Sequence, residues 1–208
     1  NENFGIPNPP IYRTSTILSS SMAQHRGDLP KPYTYGRRGT PTSEAFEHAV
    51  ASLYKADTCI STCSGLSAIS TAILSVIKSG EHALFPDSLY GSSRHFVKTL
   101  LKDFGVEVEF YPPRTNGRIS EHFKTNTRLL YLESPGSLTF EVQDVPTMSR
   151  LARNHNIVTI CDDTWGTALH YPVLALGADI VVEAATKYIA GHSDVNLGIA
   201  AANGTIGK

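Results

Sequence analysis

A chain of 208 residues is long enough to bury a sizeable core, and 41% hydrophobic with 18% charged residues fits a globular protein. The formal net charge of −1 leaves no basic field to draw nucleic acid or an anionic membrane surface, so neither is an expected partner. No apolar run approaches the length of a membrane span, and no signal-peptide pattern is visible.

Cys59, Cys63 and Cys161 have no metal-type spacing, and their odd count argues against a disulfide framework. A reducing cytoplasm is the expected compartment. The sequence begins at Asn1 without methionine and stops soon after an apolar run, as expected for a piece of a longer polypeptide.

Residues 1–41 are rich in Pro, Ser, Gly and Arg without sustained periodicity, and predict an extended arm with turns. The arm carries Tyr35-Gly36-Arg37-Arg38-Gly39. Arginines framed by glycines suit bidentate phosphate recognition, and a solvated basic turn fits equally well. From residue 42 the pattern changes. Ala45, Phe46, Ala49, Val50 and Leu53 recur at helical spacing, with Thr42 or Ser43 as the expected cap.

Short apolar runs then predict strands over 58–62, 82–85, 106–111, 128–132, 157–161, 180–182 and 197–201. Helical patterns lie between them at 66–77, 92–104 and 145–155, the last with Asp144 as cap and Pro146 in its first turn. The alternation predicts an α/β fold, a mostly parallel sheet with helices on both faces, formed by residues 42–208 behind the 1–41 arm. Such sheets collect ligands at the carboxyl ends of their strands.

Candidate site residues follow from that rule. After the first strand, Ser64-Gly65-Leu66 opens a helix whose free amides suit an anion, although a serine-capped glycine turn explains the residues as well. Tyr90 follows the second strand, where a ring can stack on a planar ligand or simply pack. Asp162 and Asp163 close the fifth strand, and buried carboxylates there call for a cation or a cap and salt bridge. Lys187 lies just past the sixth strand, where burial would disfavour the ammonium and expose a nucleophilic amine. A metal site from Asp162, Asp163 and His192 lacks recognised ligand spacing, and no Gly-x-Gly-x-x-Gly follows the first strand.

Ala184-Ala185-Thr186-Lys187-Tyr188 followed by Gly191-His192-Ser193-Asp194 resembles the Schiff-base segment of the cysteine/methionine-metabolism pyridoxal phosphate enzymes. Tyr35-Gly36-Arg37, Ser64-Gly65-Leu66, 87–90 and 162–165 fall in that family's order, so the resemblance covers essentially the whole chain. The segment Glu133-Ser134-Pro135-Gly136-Ser137-Leu138-Thr139-Phe140-Glu141-Val142, together with Trp165, is most similar to the family's β-acting lyases; a γ-acting member, or a non-catalytic domain that retains the fold, is the alternative. Two positions depart from the common pattern: Asp163 stands where asparagine is usual, and Ala184 where many members carry a phosphate-binding serine.

The resemblance implies an aspartate-aminotransferase-like fold, pyridoxal 5'-phosphate as cofactor, and a homotetramer built as a dimer of dimers. It implies carbon–sulfur bond cleavage in a small sulfur amino acid, with L-cystathionine as the expected substrate. Lys187 would hold the cofactor, Asp162 its ring nitrogen, and Tyr90 would stack on the ring and take part in catalysis. Gly65, Leu66 and Thr186 would bind the phosphate, and Tyr35 and Arg37 would reach the cofactor of the neighbouring subunit. A smaller C-terminal domain, which carries the arginine for the substrate carboxylate, is expected to lie beyond these 208 residues.

Overall fold

The computed structural model describes residues 4–204. The chain divides into two compact units, Asn1–Val50 and Ala51–Lys208. In the first, helix α1 (Met22–Arg26) is capped by the Ser21 side chain and closed by Gly27 at φ 87°, a conformation that favours glycine. The remainder is largely irregular, with one isolated bridge between Thr16 and Tyr35.

Helix α2 (Pro41–Tyr54) starts one residue before the expected caps, and the cap is Thr40. Ser43 N–H donates to Thr40 Oγ1 at 3.4 Å while Thr40 N–H donates to Ser43 Oγ at 2.9 Å, with proline at the first helical position. Thr42 instead ties the helix to the arm: Tyr12 N–H donates to its Oγ1 at 2.8 Å, and that hydroxyl donates to Pro10 O at 2.9 Å. Those bonds explain why the division falls inside α2 and not at residue 41.

The second unit is built on seven strands: β1 (Thr58–Thr62), β2 (His82–Pro86), β3 (Glu107–Tyr111), β4 (Thr127–Glu133), β5 (Val158–Asp162), β6 (Ile180–Glu183) and β7 (Gly198–Ala202). Their order across the sheet is β1-β7-β6-β5-β4-β2-β3. All pairings are parallel except those of β7, which runs antiparallel to both β1 and β6. The sheet is therefore mixed but mostly parallel.

Each predicted strand forms within about two residues of its expected position, because strands buried on both faces are near-continuous apolar runs. Leu129, Tyr131, Ile160, Val182 and Ala200 face one core layer, where α3 (Gly65–Val76) contributes Ile69, Ala72 and Ile73. Their alternate neighbours Leu130, Leu132, Cys161 and Val181 are equally buried on the opposite face, the side of α5 (Val145–Asn154) with its buried Val145, Met148 and Ala152.

The helix expected over 92–104 forms with a π-helical turn inside it: α4 (Gly91–Phe96) passes into the turn at Val97–Leu101, and residues 102–103 return to α-helix. A four-residue helix, α6 (Thr167–His170), has too few residues to carry a periodic signal.

One contact sets the first candidate turn. A Cβ added to Gly198 would lie 2.2 Å from Ser64 O and 2.6 Å from Ser64 C, so the start of β7 presses against the backbone that opens α3. Gly198→Ala is expected to lower stability by about 1–3 kcal/mol through this overlap. A urea midpoint equal to that of the parent protein would show that the turn yields without cost.

Candidate active site

Three neighbouring parallel strands end on acids: β4 on Glu133, β5 on Asp162 and β6 on Glu183. Register sets Glu133 beside Asp162 at the carboxyl edge and pairs Asp162 with Val182, so Glu183 lies one residue further on and points to the opposite face. A cavity of about 880 Å³ opens there, lined by Gly65, Leu66, Tyr90, Glu133, Asp162, Trp165, Thr186 and Lys187 among others.

Lys187 stands on a turn beyond the end of β6 and is exposed, which corrects the expectation of a buried amine. The strand stops at Glu183, and the turn that follows lifts the side chain over the open cavity. What the structure gives Lys187 is position. Its Nζ lies 5.9 Å from the centroid of the Tyr90 ring, and its charge is felt by Asp162 across the cavity.

Asp162 is buried, and burial pushes its carboxyl above the ordinary range. Opposing this, Thr164 donates to Asp162 Oδ1 from its hydroxyl at 2.6 Å and its amide at 3.0 Å, and Tyr131 O–H reaches Oδ2 at 3.4 Å. These bonds offset part of the cost of burial, and a cation in the cavity would favour the carboxylate further.

Tyr90 is half exposed, and its backbone is fixed from below. Glu133 Oε2 accepts from Tyr90 N–H and Oε1 from Ser137 N–H, both at 2.9 Å. Glu133 is a positioning residue that sequence reasoning passed over, although it shares the strand-end signature of Asp162. Phe140, Trp165 and Tyr188 form a chain of rings at the rim, with centroids 5.2 Å and 6.3 Å apart.

The first-turn amides of α3, Gly65 and Leu66, are free of intrahelical partners by helix geometry, while Ser64 Oγ caps Ser67 N–H at 3.1 Å. A Cβ on Gly65 would meet the Ala184 Cβ at 2.6 Å, so glycine lets this turn approach the segment that carries Lys187. Thr186 lines the cavity, but its hydroxyl is committed: it donates to Leu197 O at 3.1 Å and accepts from Leu197 N–H at 2.8 Å. A phosphate contact from Thr186 would use its remaining lone-pair side or give up that clamp. In the first unit, Tyr35 and Arg37 are exposed, with the guanidinium 5.7 Å from the tyrosine ring centroid. His192 is exposed and bonds locally to Ala190 O at 3.1 Å, and among the described residues no group of three or more His, Cys, Asp or Glu is arranged to hold a metal.

Burial raises Glu133 and Glu183 to about 7 and Asp163 to about 8. Unfolded carboxyls titrate near about 4, so these three bind protons more tightly in the folded state. Their stabilising contribution is complete below the unfolded value and is lost as pH rises through about 7 and 8. Chemical-denaturation stability is therefore expected to receive a falling contribution from these groups between roughly pH 5 and 8. The fall should be smaller in Asp163→Asn; an unchanged slope in that variant would remove Asp163 from the account.

The chain matches, over residues 1–207, the family described as Cys/Met metabolism PLP-dependent enzyme. It is 43% identical to a putative cystathionine beta-lyase of Rhizobium johnstonii, over 96% of this chain and 50% of that protein. It is 35% identical to an L-alanine/L-glutamate racemase of Wolbachia pipientis, over 100% of this chain and 54% of the relative. It is also 37% identical to an L-methionine gamma-lyase of Fusobacterium nucleatum, over 96% and 52%. The crystal structure of metB from Corynebacterium glutamicum superposes with a TM-score of 0.90 at 29% identity, covering 98% of this chain and 52% of that one. The chain thus spans about half the length of the relatives it matches. From a profile match over nearly its whole length and a shared fold, the chain belongs to the pyridoxal phosphate-dependent enzymes of cysteine and methionine metabolism.

Proposed function

We propose that the full-length protein is a carbon–sulfur β-lyase that cleaves L-cystathionine to homocysteine, pyruvate and ammonia. The observation that carries this reading is the placement of the Lys187 amine 5.9 Å from the Tyr90 ring centroid, in the same cavity as the buried Asp162 carboxylate. Amine, aromatic plate and acid around one cavity fit a flat, cationic ring bearing an aldehyde.

The residues present fit the family's cofactor. Lys187 would be its covalent anchor, Asp162 the partner of its ring nitrogen and Tyr90 the plate against its ring. The amides of Gly65 and Leu66 would receive the phosphate, aided by Thr186, with Tyr35 and Arg37 serving the neighbouring subunit's site. Bound there, pyridoxal phosphate supplies an electron sink for charge that develops at the substrate α-carbon.

The chain's own work is proton transfer and orientation. With the cofactor bound, Lys187 Nζ would take the substrate's α-proton, and the Tyr90 hydroxyl would take part in proton handling at the substrate amine. Asp162 would favour the protonated ring nitrogen by setting a carboxylate against it. Glu133 keeps the Tyr90 backbone in register by its bond to that amide.

A β-acting reading is supported by the most identical relative described above, named a putative cystathionine beta-lyase. A γ-acting reading has its own support in the relative named L-methionine gamma-lyase. Assembly as a homotetramer is proposed with the family. A cytoplasmic location is proposed from the odd number of cysteines, which argues against a disulfide framework.

Two measurements test the assignment on the full-length protein. Borohydride reduction should fix the cofactor to the peptide containing Lys187, and Lys187→Ala should lose both the label and turnover by at least about 10³-fold. Appreciable elimination by that variant would defeat the role of Lys187. Incubation with L-cystathionine should release pyruvate; 2-oxobutyrate as the main product would transfer the protein to the γ-acting branch.

A further inference from the structure

Behind the cavity lies a second polar cluster that the proposed chemistry does not use. Tyr54, Asp163 and Glu183 are 2%, 0% and 1% exposed, and they meet at one hydroxyl. Tyr54 Oη lies 2.6 Å from Glu183 Oε2 and 3.1 Å from Asp163 Oδ2.

A tyrosine hydroxyl carries one proton and can donate to one oxygen at a time. Two carboxylate oxygens at hydrogen-bond distance from it therefore need a second proton, supplied by one of the carboxyls. The shorter contact falls in the range of a hydroxyl donating to an ionised oxygen, which marks Glu183 as the charged member. Asp163 then donates to the tyrosine oxygen.

The remaining oxygens, Asp163 Oδ1 and Glu183 Oε1, are buried without partners. Asp163 Oδ1 is so closely covered that a Cβ on Gly166 would lie 2.4 Å from it. Asp162 and Cys161 face the cluster from β5 and Tyr54 from α2; among the described residues, no cation offsets either carboxyl.

We propose that Asp163, Tyr54 and Glu183 form a proton-sharing triad, one carboxyl protonated and one ionised at neutral pH, that acts as a positioning device for the adjacent Asp162. By holding a proton, the triad limits the negative charge packed behind Asp162, so that Asp162 remains ionised. Burial and the Asp162 charge both favour retention of that proton, in agreement with the raised affinities of Asp163 and Glu183. The effect on Asp162 rests on its proposed role at the cofactor ring; the shared proton does not.

Infrared spectroscopy of the full-length protein tests the proton itself. At neutral pH a protonated-acid carbonyl band should appear, shift on carbon-13 labelling of aspartate, and vanish in Asp163→Asn. Tyr54→Phe, which removes the shared hydroxyl, should shift the same band if Asp163→Asn does not fold. Absence of any aspartate-derived acid band, or its persistence in Asp163→Asn, would overturn the triad.

The holoenzyme tests the consequence. The pH midpoint of its visible absorbance should move in Asp163→Asn and in Glu183→Gln. A midpoint unmoved in both variants would overturn the link to Asp162 while leaving the infrared result to stand alone.

Discussion

The structure depends on how carboxylates are kept at the ends of strands buried on both faces. A parallel sheet covered by helices offers its strand termini a low-dielectric floor, where an unpaired charge is costly. Here adjacent strands deliver Glu133, Asp162 and Glu183 to that floor. Each is met by donors particular to it: two backbone amides for Glu133, a threonine and a tyrosine for Asp162, and the Tyr54 hydroxyl for Glu183. The three therefore differ in function although they share an edge. Glu133 fixes loops, Asp162 faces the cavity, and Glu183 turns away from it toward a shared proton.

The strands were legible because their apolar runs are short, continuous and bounded by polar turns, the pattern left by burial on both faces. The rule that ligands gather at carboxyl ends then led to Gly65, Tyr90, Asp162 and Lys187, which the structure brings around one cavity. Pairing order and direction were not legible. Nothing in Gly198–Ala202 distinguishes an antiparallel strand inserted between β1 and β6 from another parallel one, since both would be small and apolar.

Two further features were hidden for different physical reasons. Lys187 was expected to be buried because it follows a buried strand, yet three residues separate it from Glu183, and a turn of that length is enough to change its environment. The Tyr54 cluster joins residues 109 and 129 positions apart in sequence. No local period reports such a contact. The visible signal was only that Asp163 stands where the family commonly carries asparagine, and the structure gives that departure a partner in the Tyr54 hydroxyl, which also meets Glu183.

The separate pieces of the cavity are joined by one side chain. Thr164 O–H donates to Asp162 Oδ1 at 2.6 Å, and Thr164 Oγ1 itself accepts from Ala184 N–H at 2.9 Å. Ala184 O in turn accepts from Lys187 N–H at 2.8 Å, and the Ala184 side chain packs where Gly65 leaves room. A continuous path therefore runs from Asp162 through the Thr164 hydroxyl to the turn that carries Lys187 and to the start of α3. A serine at position 184 would add a hydroxyl beside the Gly65 turn, and alanine gives up that donor while keeping the close approach. In the proposed site, that loss would place more of the phosphate's binding on the α3 amides, whose strength comes from fixed backbone geometry and needs no side chain at all.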